Sequence, residues 1–260
     1  MEEWMIEEIT PLPTLSNPVF IEGLPGIGNV GKVAVDFMID ELKAKKVMEI
    51  TSHNFPNAVF VNEENLVDLP KIEIYHKKIK DHDLLFLAGD VQPIDEHSSY
   101  TFSEKILDIS QKHEIKRIIT LGGIGLAHIP KEPKIYCTGN DKDMIEAYKQ
   151  EGLSEELYGV VGPIVGVTGL LLGLAAKKEI KAIALLAETY GNPMYLGVKA
   201  SKKIISLLNK KLQLNIDPDK LEKEIKQIES EVLRRSDEFK KVSEIGMGPS
   251  KDGAEVTYIG

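Results

Sequence analysis

Three glycines near the start of the chain are spaced for phosphate chemistry. In Gly23-Leu24-Pro25-Gly26-Ile27-Gly28-Asn29-Val30-Gly31, the residues Gly26, Gly28 and Gly31 satisfy G-x-G-x-x-G. The apolar run Val19-Phe20-Ile21 precedes them, and a helical pattern (Val30, Val33, Ala34, Phe37, Met38) follows. In that context a dinucleotide pyrophosphate rests on a helix N-terminus. Glu49, in the next predicted strand, stands near the separation expected of a ribose-binding acid. Two features oppose this reading. The first strand is short and ends in Glu22, whose charge would face the pyrophosphate. The second strand leads into a hairpin and not into a second crossover helix. A lone glycine motif is a weak signal, because glycine turns into helices are common.

Other chemistries find less support. Gly31-Lys32 is followed by Val33, where a P-loop needs Ser or Thr. The six histidines (His53, His76, His82, His97, His113, His128) have no metal-ligand spacing, and Asp81-His82-Asp83 reads as a turn. No G-x-S-x-G elbow frames a serine nucleophile. Asp90, Asp95, Glu96, His97 and Glu188 could converge as acid and base at strand ends, but helix capping and loop solvation explain them more simply. Glu188, at the end of a buried strand, is the carboxylate of most interest. Cys137 is the one cysteine and reads as a small strand residue, since no His or acid adjoins it. No catalytic residue, metal or cofactor is therefore assigned.

Composition narrows the class further. The chain has 260 residues, 42% hydrophobic, and a net charge of −9. That length supports one substantial core. An acidic surface is a poor partner for nucleic acid, which needs a basic patch. A single cysteine rules out an internal disulfide framework and suits a reducing compartment. The acidic start Met1-Glu2-Glu3-Trp4-Met5-Ile6-Glu7-Glu8 is no signal peptide. The most apolar segment, 160–176, is interrupted by Gly162, Pro163, Gly166, Gly169 and Gly173 and is short for a membrane span. The expectation is a cytoplasmic protein without membrane or nucleic-acid partners.

Elements must hold these residues in place. Strands are expected at 19–21, 47–52, 71–76, 84–88, 117–121, 135–138 and 182–187, with a hairpin over 58–69. Helices are expected at 29–45, from Ser98 or Ser99 to Lys112, and at 142–150, 167–177 and 196–210. Lysines 43, 45 and 46 would close the first helix, favoured by its dipole. Four strands are continuous apolar runs alternating with helices, the mark of a sheet covered on both faces. Strands run out into glycine turns at Gly23, Gly89, Gly122 and Gly191, and such loops gather in one crevice of a doubly wound sheet. The predicted organisation is an α/β/α core domain over 1–215, an amphipathic helix over 216–241 and a flexible tail over 242–260.

The helix starts at Asp217-Pro218-Asp219, a carboxylate cap followed by Pro in the first turn. Leu221, Ile225, Ile228, Val232 and Phe239 then form one apolar stripe along about six turns. It suits packing on a neighbouring subunit or on its own domain. Gly246, Gly248, Pro249, Ser250 and Gly253 make a linker. The linker ends in the apolar tip Val256-Thr257-Tyr258-Ile259-Gly260, a composition that suits docking in a pocket.

Five blocks point to a family. They are Phe20-Ile21-Glu22-Gly23-Leu24-Pro25-Gly26-Ile27-Gly28-Asn29-Val30-Gly31; Ala88-Gly89-Asp90-Val91-Gln92-Pro93; Leu121-Gly122-Gly123-Ile124-Gly125; Gly162-Pro163-Ile164-Val165-Gly166-Val167-Thr168-Gly169-Leu170-Leu171; and Ala187-Glu188-Thr189-Tyr190-Gly191 with Pro193. In order and spacing the chain resembles the archaeal proteasome assembly chaperone family, of PAC2 type. The resemblance implies a three-layer α/β/α sandwich of the phosphorylase/hydrolase-like type. It implies a non-enzymatic homo-oligomer that binds the 20S core particle or its α-subunits. Some members of that family carry a C-terminal hydrophobic-Tyr-any-residue tail, whose tyrosine and carboxylate enter pockets between α-subunits and meet a lysine there. Here Tyr258 is third from the end and follows Thr257, so the register is shifted by one. The carboxylate contact is worth about 1.5–3 kcal/mol. The crevice or interface residues carried by these blocks are Glu22, Gly23, Gly26, Gly28, Gly31, Asp90, Gly122, Gly123 and Glu188. The alternative is an enzyme using a nucleotide or nucleoside in that crevice. Some relatives have carried an ATP-grasp ligase label, for which no separate ATP signature is present.

Overall fold

A computed structural model of the chain describes residues 3–62, 64–93, 95–149, 153, 162–192, 195–223 and 225. The chain divides into two units, Met1–Asp219 and Lys220–Gly260. In the second unit only 220–223 and 225 are described, and they are helical. The rest of the expected amphipathic helix, and the tail with its tip, lie outside the described residues.

The first unit is built on an eight-stranded mixed sheet. Its strands are β1 (Met5–Glu8), β2 (Val19–Glu22), β3 (Lys45–Thr51), β6 (Ile72–Ile79), β7 (His82–Gly89), β8 (Arg117–Leu126), β9 (Ile135–Gly139) and β10 (Lys181–Tyr190), in the spatial order β1-β3-β6-β7-β2-β8-β10-β9. β7, β2, β8 and β10 run parallel at the centre, and antiparallel strands flank them on both sides. These four central strands are the continuous apolar runs of the sequence, because helices bury both their faces. A separate two-stranded hairpin joins β4 (Phe60–Val61) to β5 (Val67–Asp68).

The helices are α1 (Val30–Leu42), α2 (Glu96–Lys112), α3 (Lys142–Lys149), α4 (Val167–Ala176) and α5 (Val198–Leu212). α1 and α5 pack together, as do α2 and α4. Alternation along the strands sorts the core between the two layers. Phe20, Leu85, Leu87, Ile118, Ala184 and Leu186 join Phe102, Ile106 and Leu171 under α2 and α4. Their neighbours Ile21, Leu84, Phe86, Ile119, Ile183 and Leu185 are equally buried and face the other way. The α/β sandwich expected from the sequence is the fold observed.

Several local expectations are corrected. α1 ends at Leu42, where Lys43 turns left-handed (φ 52°) and its N–H bonds the carbonyls of Ile39 and Asp40. Lys45 and Lys46 therefore lie on β3 and not at the helix end. α2 starts earlier than Ser98. Asp95 caps it by accepting the Ser98 N–H at 2.8 Å, and Ser98 returns a bond to the Asp95 N–H, forming a reciprocal capping box. The turn near Asp81 is narrower than expected. Asp83 is already on β7, buried, accepting bonds from the Ser16 N–H, His76 and Lys78. Nor does β8 stop at Gly122. It continues paired to β10 through Leu126↔Tyr190. The edge strand β1 has no counterpart in the expected elements, because its burial pattern is mostly exposed and its apolar signal weak.

The extension of β8 depends on its glycines. A Cβ at Gly123 would lie 2.2 Å from the Ile27 carbonyl oxygen, and one at Gly31 would lie 2.3 Å from that of Leu121. Loop 23–31 and the first turn of α1 thus rest directly on the β8 backbone. Gly31→Ala is expected to lower stability by about 1–3 kcal/mol through overpacking, although Ala normally favours a helix. Gly173→Ala, on α4 with nothing within 4 Å of the new Cβ, is expected to raise stability by about 0.5–1 kcal/mol. Guanidinium unfolding of both variants checks the contrast. Equal effects would show that the α1–β8 approach is not limiting.

Candidate functional site

β2 passes the chain through α1 to β3 on one side, whereas β8 passes it toward β9 and β10 on the other. Adjacent strands that diverge in this way open a crevice at their carboxyl ends. A cleft of about 530 Å³ lies there, bounded by loop 24–31, the end of β8 and segment 162–168. Among its described lining residues only Gln92 and Thr168 carry polar side-chain groups, and none is charged.

Both polar groups are engaged within the protein. The Gln92 amide donates to the Pro25 carbonyl, and its oxygen accepts the Val167 N–H at 3.3 Å. One side chain thus joins the loops after β2 and β7 to the start of α4. Gly166, at φ +81°, is adjacent: a Cβ there would meet the Gln92 Oε1 at 2.8 Å. Thr168 Oγ1 lies 3.2 and 3.3 Å from the two Glu22 carboxyl oxygens. Gln92 and Thr168 sit inside two of the resemblance blocks, but residue type and spacing assign neither a role. Only the meeting of three loops does.

The expected residues fall into three groups. Gly26, Gly31, Gly122 and Gly123 line the cleft. Gly23, Gly28 and Glu22 are packed beside or beneath it. A Cβ at Gly23 would meet the Gly31 carbonyl oxygen at 2.3 Å. Gly28 has φ +62°, and a Cβ there would strike Thr189. Asp90 and Glu188 are engaged elsewhere. Asp90 binds Lys32 at 2.7 Å, and Lys32 also binds Asp36. Glu188 accepts the Lys134 N–H at 2.9 Å and the Tyr136 hydroxyl at 3.0 Å, fastening β10 to the β9 edge.

This arrangement does not suit a pyrophosphate. The second glycine of a dinucleotide fingerprint exposes backbone to the ligand. Here Gly28 is turned against Thr189, and its carbonyl accepts the Gly197 N–H at 2.8 Å. β3 meets β1 and β6 antiparallel, so Glu49 belongs to no second dinucleotide half. Its carboxylate instead bonds Lys46 and Lys71. Cys137 is buried, which pushes its thiol up to about 12, far from a nucleophile's range. Among the described residues no helix is long and apolar enough to cross a membrane, and no cluster of His, Cys, Asp or Glu could hold a metal ion.

Glu22 is the exceptional group. It is fully buried, and burial pushes its carboxyl up to about 7, against the hydrogen bonds from the Leu24 N–H and Thr168. The folded value exceeds the ordinary 4.5, so the folded chain holds the proton more tightly than the unfolded one. Its contribution to stability is complete below pH 4.5, falls as pH rises to about 7, and is then level. The fall amounts to roughly 3 kcal/mol. Glu22→Gln keeps the shape and removes the titration. Guanidinium unfolding at pH 5, 6, 7 and 8 is expected to show the variant gaining on the parent by about that amount. Parallel pH curves would show that Glu22 does not titrate in this range.

The comparisons with known proteins agree with this architecture. The chain is 36% identical to PbaB of Pyrococcus furiosus, an archaeal proteasome activator, covering 91% of this chain and 100% of that one, with a TM-score of 0.80. PbaA of the same organism, an archaeal homolog of proteasome-assembly chaperone, shares the fold at 24% identity and a TM-score of 0.73, covering 92% of this chain and 94% of that one. An uncharacterised protein of Methanocaldococcus jannaschii is 27% identical over 100% of this chain and 99% of its own length. The PAC2 family model matches residues 20–235, which takes in most of β2, the strands β3 to β10 and the helices α1 to α5. On that match the chain belongs to the PAC2 family.

Proposed function

We propose that this chain is a homo-oligomeric, non-enzymatic assembly chaperone or adaptor of the 20S proteasome, binding the core particle or its α-subunits through its C-terminal tip. The observation that carries the reading is the 36% identity with an archaeal proteasome activator, over 91% of this chain and the whole of that solved chain. The apolar tip after a glycine-containing linker supports the mode of binding. The self-satisfied polar groups of the cleft support a role without catalysis: Gln92 and Thr168 spend their hydrogen bonds on the protein.

Within the tip, Tyr258 carries the one aromatic ring. The ring is the anchor in this reading, since a buried aromatic carries much of an interface's energy. The test is a pull-down of purified 20S particle and of free α-subunits with the full chain, with a chain ending at Gly253, and with Tyr258→Ala. The full chain is expected to bind, the truncated chain to fail, and Tyr258→Ala to bind at least tenfold more weakly. Equal capture by all three would move the contact onto the folded body. Capture by none would overturn the proteasome reading.

A further inference from the structure

The β4–β5 hairpin carries an apolar face with no layer beneath it. The pairs Phe60↔Asp68 and Val61↔Val67 place Val59, Val61, Val67 and Leu69 on one side. They are 52%, 69%, 64% and 71% exposed. A two-stranded hairpin is marginal in water by itself. This one is held at its turn by Asn62, whose side chain accepts the Glu64 and Leu66 N–H groups and donates to Asp68. It is thus a preformed apolar knob on the order of 400 Å², the size of patch that marks an interaction site.

The cleft is the matching hollow. Its described lining is uncharged, and Ile27 and Val165 at its rim are 51% and 83% exposed. A cavity of about 150 Å³ holds one benzene, so about 530 Å³ takes several aliphatic side chains. Gly26 and Gly162 line it, and a Cβ at either would meet nothing within 4 Å. Gly26 has extended backbone (φ −163°), so backbone strain does not require a glycine there. Their missing side chains leave the cleft open.

We infer that two copies of this chain pair by seating the hairpin face of each in the cleft of the other. Two observations favour a second copy over a different partner. Knob and hollow lie at the same end of the sheet: the hairpin joins β3 to β6 beside Gly89, where β7 ends, and the cleft opens where β2 and β8 end. A twofold axis facing that end therefore makes both contacts at once. Two knobs against two hollows bury on the order of 1,000 Å², the least that a specific interface needs.

The inference rests on the self-association in the proposed function. The test is the mass of the full chain in solution by light scattering, with folding checked by circular dichroism. The parent is expected to be a dimer or an even multiple. Val61→Glu with Val67→Glu on the hairpin, and Gly26→Leu with Gly162→Leu in the cleft, are each expected to at least halve that mass while leaving the fold intact. An equimolar mixture of the two variants regains one intact contact and is expected to give mixed pairs. Loss of assembly by the hairpin variant alone, or by neither, overturns the inference. A monomeric parent overturns it together with homo-oligomerisation. If that monomer still captures 20S particle, the proteasome reading survives.

Discussion

Much of the molecule depends on one close approach, that of loop 23–31 and the start of α1 to the backbone of β8. Gly31 faces the Leu121 carbonyl and Gly123 faces the Ile27 carbonyl, each with no room for a Cβ. This contact sets the height of α1 over the sheet. It also brings Gly28 against Thr189 and aligns the Gly28 carbonyl with the Gly197 N–H, which begins the approach to α5. Interiors packed at crystal density transmit such a constraint instead of absorbing it. The glycines that look like a phosphate cradle in one dimension are, in three, mostly the seam between two layers.

Glu22 lies under that seam. A buried carboxyl without a cationic partner is tolerable chiefly as the neutral acid. Its two oxygens meet the Leu24 N–H and the Thr168 hydroxyl, so the group joins the end of β2 to α4 across the base of the cleft. Gln92 makes the parallel connection above it. The cleft is therefore braced by polar groups that face each other, while the surface its described residues turn outward is apolar and uncharged. Such a surface favours an apolar partner over a charged metabolite, since an uncharged wall offers nothing to offset the desolvation of a phosphate.

The sequence itself determined the layers, the helix order, the central strands and the carboxyl-end crevice. Continuous apolar runs such as Leu84 to Ala88 are too short for helices and end at turn residues such as Gly89, so they read as strands buried on both faces, and the 3.6-residue periods between them supply the helices that cover those faces. It did not reveal β1, whose side chains are mostly exposed. Nor did it show the extension of β8 through Gly122 to Leu126, because glycine carries no strand propensity. Pairing with β10 supplies what propensity lacks. Glu188 illustrates the same limit. A carboxylate near a strand end reads as reactive, and only the neighbouring strand, through Tyr136 and the Lys134 N–H, shows it to be a fastener.

What tertiary structure alone decided is which glycines are packed and which are open. Gly26 and Gly28 are two residues apart in one motif, yet Gly28 abuts Thr189 while Gly26 faces free space. No spacing rule separates them, because the difference depends on a strand more than 150 residues away in the chain. The same holds for Gln92 and Thr168, whose roles exist only where three loops meet. Local pattern specifies elements through side-chain period and backbone propensity. A site is specified by contacts between elements, and those are set by the distances at which whole layers come to rest.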